Sequence, residues 1–111
     1  MANSLDTAVA DGGKEEVGNG IYGDYGVCQG PQSWYWGGTW YCPAKGTDNI
    51  DEIKDLLEFF CCEKDSMKKM ATDTLDFSNN KEAMKEVADS DYSSAFLGGQ
   101  NPYGDFCESA E

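Results

Sequence analysis

The chain contains no histidine, which removes the commonest general base and the usual partner of a nucleophilic serine or cysteine. A Ser/His or Cys/His hydrolase is excluded on this chain alone. Its five cysteines include no CxxC pair, so with histidine also missing the ligand set of a structural zinc site is lacking. Basic residues are scarce as well: 8 against 21 acidic ones give a net charge of -13, which repels phosphate backbones and anionic lipid headgroups. Nucleic acid is a poor partner for such a surface. No apolar run approaches the roughly 18 residues of a membrane helix, and residues 1–20 have neither the basic start nor the apolar stretch of a secretory leader. Gly98-Gly99 is not followed by Lys-Ser/Thr, so it is no phosphate loop, and residues 89–91 lack the alternating ligands and glycine of a calcium hand. Neither a cofactor nor a metal is implied.

What is present suffices for one small domain. A chain of 111 residues with 40% hydrophobic side chains can build one modest core. Its 13 glycines and a mean hydropathy of -0.60 announce long loops. The densest feature is GDYGVCQGPQSWYWGGT, residues 23–39, where Trp34, Tyr35 and Trp36 precede Gly37 and Gly38. Flat rings beside a bare backbone suit a polar ring such as a sugar. On composition alone the same rings read more readily as the core of a small domain, since buried aromatics are far commoner than ligand platforms.

Along the chain, residues 1–22 read as a loosely ordered segment in which only Leu5, Val9 and Val17 can anchor to a core. Residues 25–29 and 39–42 are short β-branched and aromatic runs bounded by glycine and proline, and they predict two neighbouring strands with the aromatic cluster in their connection. Ile50, Ile53, Leu56, Leu57, Phe60 and Cys61 fall at helical spacing opposite Asp51, Glu52, Lys54, Asp55 and Glu58. That helix is expected to be capped by Asn49 with Glu52 returning the bond, and to pack on the two strands. A second helix is expected from Asp65 or Ser66, with Met67, Met70 and Ala71 inward. A third is expected over residues 80–88, with Ala83, Met84 and Val87 inward. Residues 89–96 suggest a single helical turn, and residues 105–111 the first turns of a further helix. The fold class is therefore α+β: a short two-stranded β element packed with three to five helices.

Cys61 and Cys62 end an apolar helix face and read as small hydrophobes. Cys28 and Cys42 flank the aromatic turn, where a disulfide and two free thiols both fit the spacing.

Five short segments occur in order: GDYGVCQGP, WGGTW, a charged amphipathic helix after KGTDN, DFSNN and FLGGQN. In that order they resemble the C-terminal lobe of extracellular solute-binding proteins that deliver sugars to bacterial ABC importers, over residues 23–111. The resemblance implies part of a two-lobed periplasmic-binding-protein-like fold, with no N-terminal lobe, hinge or tail here, and hence a fragment with half a cleft. It implies non-catalytic capture of an oligosaccharide and docking to membrane permease subunits. It also implies an extracellular, lipoprotein-anchored parent. By match to WGGTW, Trp36, Gly37 and Gly38 would face the ligand. Trp34 and Tyr35 follow by adjacency, with Gln100 and Asn101 as hydrogen-bonding amides. An uncovered lobe face would self-associate through Trp34, Trp36, Tyr41 and Phe96.

Three function classes follow. The first is a sugar-binding lobe. The second is a structural or protein-interaction domain whose aromatics form core or a docking patch. The third is an enzyme, which would need a carboxylate pair drawn from Asp24, Asp76, Asp89, Asp91, Asp105 and Glu108. At this net charge scattered acids are expected on the surface, so the reading is a protein that is not an enzyme.

Overall fold

The computed structural model describes residues 6–34 and 37–111. Five α-helices follow one another among them: α1 (Asp6–Val9), α2 (Ile50–Cys61), α3 (Lys64–Thr74), α4 (Lys81–Ala88) and α5 (Tyr103–Ser109), with a single 3-10 turn at Asp11–Gly13. The expected α+β class is overturned, because the described residues contain no strand. Their one β feature is an isolated antiparallel bridge between Ser94 and Gln100. Residues 25–29 and 39–42 carry strand propensity but find no ladder partner, and a lone two-stranded ribbon is marginal in water.

The main core lies among α3, α4 and α5. Met67 and Ala71 stand one turn apart on α3, and Ala83, Met84 and Val87 form the inner stripe of α4; all five are buried. Tyr103 closes this cluster from the start of α5 with 1% of its surface exposed, and its hydroxyl donates to the Ala71 carbonyl at 2.5 Å. Burial pushes the Tyr103 phenol far above its usual range, so the hydroxyl remains a donor. Met70, expected inward, instead sits at the exposed edge of α3.

Two asparagines hold the helix ends. Asn80 accepts from the Ala83 N–H at 2.9 Å, capping α4, and its Nδ2 donates to the Cys62 carbonyl at 2.9 Å. Asn101 donates through Nδ2 to the Val87 and Ala88 carbonyls, while its Oδ1 accepts from the Tyr103 N–H. By contrast Asn49 occupies the cap position of α2 without a side-chain bond, so the capping box expected there does not form.

A second cluster joins the N-terminal part to the turn before α5: Ala10, Tyr22, Phe96 and Leu97 are buried together. Tyr25 stacks on Phe96 with ring centroids 4.9 Å apart, and Tyr22 meets the same ring edge-on at 5.7 Å. Phe96, expected at the surface, is 2% exposed. Residues 89–96 form no helical turn; the chain bends there into the tight turn closed by Gly99 N–H donating to the Ser94 carbonyl. Gly98 takes a φ of +62°, and a Cβ there would lie 3.0 Å from the Gly23 carbonyl oxygen. The close approach requires glycine.

Helix α2 stands apart from both cores. None of its residues is buried, although the sequence predicts it as the centre of the fold. The radius of gyration is 16.7 Å, against about 13 Å for a compact domain of this length. The accessible surface is 8210 Å², against about 6,000 Å² for a compact monomer of this mass. The exposed apolar side chains of α2, with Trp40 and Tyr41, are part of that excess.

Candidate functional site

The expected ligand residues are not one cluster built for hydroxyls. Trp34 is 76% exposed, and Gly37 and Gly38 are exposed with φ of 69° and 122°. Tyr35 and Trp36 lie outside the described residues. Both amide side chains already have backbone partners. Gln100 accepts from the Val27 N–H and donates to the Val27 carbonyl, and Asn101 bridges α4 to α5 as above.

A larger uncovered surface is formed by α2 and the residues before it. Trp40 is 83% exposed, and Tyr41, Ile50, Leu56, Phe59 and Phe60 are all at least 45% exposed. Tyr41 stacks on Phe60 with centroids 6.3 Å apart, which lays residues 41–47 along α2. Between them runs an open groove of about 950 Å³, with Ile50, Ile53 and Leu57 as its floor and Tyr41, Pro43 and Ala44 as its wall. Spacings of three and four put the floor residues on one helical stripe. A smaller depression of about 340 Å³ lies beside Phe59 and Cys62.

The groove is apolar in its bed, and Lys45, Lys54 and Glu58 are the charged residues of its lining. Asp48, Asp51, Glu52, Asp55, Glu58 and Glu63 are all exposed around α2, with Lys54 the single cation of that stretch. The stripe is legible in the sequence, where its period points to a core face. Helical periodicity reports that a face is apolar and says nothing of what covers it. The wall at residues 43–47 carries no helical or strand signal of its own, and Trp40 falls in the run 39–42 that reads as a strand.

The cysteines offer no paired chemistry. All five are free, with Cys28 and Cys42 exposed. Cys61 and Cys62, expected to pack as small hydrophobes, are half-buried and exposed respectively. Burial, with Glu111 and Asp89 adding to it, pushes the Cys107 thiol up, which keeps it protonated near neutrality. Among the described residues no three Cys, Asp or Glu side chains gather as a metal-binding group, and no helix is long and apolar enough to cross a membrane.

In comparison with known proteins, the chain matches no family model, no curated protein and no solved structure.

Proposed function

We propose that this chain is a non-catalytic interaction domain that docks another protein through the apolar face of α2 and the aromatic residues beside it. One observation carries the reading: an amphipathic helix of 12 residues has not one residue buried. Fully burying a Leu, Ile or Phe side chain is favourable by about 1.5–3 kcal/mol, so a face of half-exposed rings and branched side chains has free energy to release when covered. Patches of this kind mark interaction sites.

A carbohydrate platform at Trp34, Gly37 and Gly38 is the second reading, favoured by the exposure of Trp34 and by the motif resemblance. In the intact importer protein that the resemblance implies, the platform would be one wall of a closing cleft. The engagement of Gln100 and Asn101 with backbone groups weighs against it, because a sugar site needs amides free to meet hydroxyls.

The two readings part in one experiment on the full chain in its cell of origin. A photoreactive phenylalanine analogue at Phe60 or Trp40 should give a discrete cross-linked protein adduct, absent when the analogue replaces the exposed Glu82 of α4. Tryptophan emission should stay constant across a panel of sugars. No adduct from either position, with a sugar-dependent emission shift, transfers the site to Trp34.

A further inference from the structure

We propose that Asn19-Gly20 is a deamidation site built into the fold, and that its conversion to aspartate or isoaspartate opens the N-terminal part irreversibly. The inference is independent of the docking reading. Of the six asparagines in the chain, Asn19 alone precedes glycine. A following residue without a side chain lets its backbone nitrogen reach the asparagine Cγ, whereas Ile50 after Asn49 crowds that approach and Pro102 after Asn101 has no N–H to lose.

The turn needs both residues. Gly20 has a φ of +64°, and a Cβ there would collide with the Val9 carbonyl oxygen, which accepts from the Ile21 N–H. The position is therefore closed to a side chain that would slow the reaction. Asn19 is the latch. Its Nδ2 donates to the Asp11 and Lys14 carbonyls, each at 2.8 Å, while its N–H donates to the Glu16 carbonyl and its own carbonyl accepts from the Tyr22 N–H. These bonds tie the 3-10 turn to the stretch that delivers Tyr22 to the cluster with Ala10, Phe96 and Leu97.

The chemistry needs only water. The Gly20 nitrogen, its proton given up to solvent, attacks Asn19 Cγ; the N–Cγ bond forms, the Cγ–Nδ2 bond breaks, and Nδ2 leaves as ammonia. Water then opens the cyclic imide, giving aspartate where the new N–Cγ bond breaks and isoaspartate where the original peptide bond breaks. In the closed turn Nδ2 is held by two carbonyls, so Cγ swings onto the Gly20 nitrogen only from a locally opened state. The product cannot close again. Aspartate sets a carboxylate oxygen, an acceptor with no proton, against two carbonyl oxygens, and it adds a negative charge to a stretch that already holds Asp11, Glu15 and Glu16 with Lys14 as its one base. Isoaspartate lengthens the backbone within the turn. Each opening that reacts is thereby trapped, and the fold carries a slow one-way release of residues 9–22 from the second cluster.

The test ages the full chain in warm neutral buffer, native and in urea, and maps its peptides by mass spectrometry. Asn19 should gain the mass of an amide-to-acid exchange at least about tenfold faster in urea than in the native chain, part of it as isoaspartate, while Asn49 stays intact. Equal rates in the two conditions mean that the latch does not guard the site and overturn the proposal, as does an Asn19 that stays intact in urea. The consequence is read by amide exchange on the aged chain, separated from the fresh one by ion exchange, and on Asn19→Asp. In both, the Ile21 and Tyr22 amides should exchange about tenfold faster or more, while α3, α4 and α5 keep their protection. Unchanged exchange at Ile21 and Tyr22 means a modification without effect on the fold and overturns the release. Protection lost throughout α3, α4 and α5 overturns it as well, because the opening is then global. If Asn19→Asp does not fold on expression, the aged chain, which folded before it reacted, decides between the same outcomes.

Discussion

The side chain of Gln100 brackets the backbone of Val27 as a neighbouring strand would: the Val27 N–H donates to Oε1 at 2.7 Å, and Nε2 donates to the Val27 carbonyl at 2.6 Å. One amide thereby replaces a rung of ladder, and residues 25–29 are tied in place at Val27 without a sheet. Because Gln100 also accepts at its own carbonyl from the Ser94 N–H, it ties the N-terminal part to the turn before α5.

Gln100→Ala should therefore loosen residues 25–29. Losing the bracketing bonds is expected to cost about 1–2 kcal/mol, read from chemical denaturation, with faster exchange of the Val27 amide. Gln100→Glu keeps the acceptor but loses the donor, and should fall between the two. Exchange at Val27 that ignores both variants would show that the bracket is not holding the segment.

How far the sequence spoke depends on who covers each face. Ala83, Met84 and Val87 were legible because α3 and α5 sit on them, so amphipathic period and burial coincide. The stripe of α2 has the same period and no cover. The runs at 25–29 and 39–42 have the composition of strands, but propensity measures fitness for a pleated surface and cannot supply the neighbour that makes one. Tyr103 escaped notice because it stands between Pro102 and Gly104, where short-range signals favour a turn. At the candidate site, the aromatic cluster was recognised as unusual, while the chain's own use of Gln100 and Asn101 for backbone bonds depends on contacts more than 70 and about 14 residues distant. Local pattern does not reach that far.

The contrast between core and groove gives a second prediction. Met84→Ala should cost roughly 2–5 kcal/mol, as deletions in a packed interior do. Leu56→Ser and Phe59→Ser, on exposed positions of α2, should each change stability by about 0.5 kcal/mol or less. Thermal denaturation of the three variants side by side checks this. A large loss from Phe59→Ser would mean that α2 is packed after all.

At Tyr103 the hydroxyl and the ring separate cleanly. Tyr103→Phe removes the bond to the Ala71 carbonyl and leaves that oxygen buried, for a loss of about 1–3 kcal/mol. Tyr103→Ala empties the centre of the cluster and should cost roughly 3–5 kcal/mol. Equal losses from both would assign the whole effect to the hydrogen bond and none to packing.

Acid should expose the role of Glu86, which accepts from Lys64 at 2.7 Å and from Lys68 at 3.2 Å across α3 and α4. The hydrogen bond from Lys64, then that from Lys68, holds the Glu86 carboxyl below its usual range. A depressed folded-state value means that the contribution is present above the unfolded carboxylate value, about 4.3, and is lost as pH falls through the folded one. The melting-temperature advantage of the wild type over Glu86→Gln should therefore be small but constant near neutrality, should begin to fade as pH drops through the unfolded carboxylate value of about 4.3, and should be gone once pH lies below the folded one. The comparison with Glu86→Gln is needed because acid also relieves the general repulsion of a -13 chain. An advantage that persists in strong acid would remove the ion pairs from the account.

Asn80 carries two separable jobs, and its variants can divide them. Its Oδ1 caps α4 through the Ala83 N–H, while its Nδ2 reaches the Cys62 carbonyl at the end of α2. Serine keeps an oxygen at the cap but has no second arm long enough for Cys62. Asn80→Ala should cost about 1 kcal/mol and release the end of α2, whereas Asn80→Ser should cost only a few tenths and release α2 just as fully. The measurement is amide exchange in α2 alongside global stability, because the two variants differ in the second and agree in the first. If the serine variant leaves α2 as protected as the wild type, the Cys62 bond contributes nothing to its placement, and the stacking of Tyr41 on Phe60 becomes the main restraint on the groove. Removing that stack with Tyr41→Ser in the Asn80→Ser background would then open the groove, and amide exchange in residues 43–47 should rise in step.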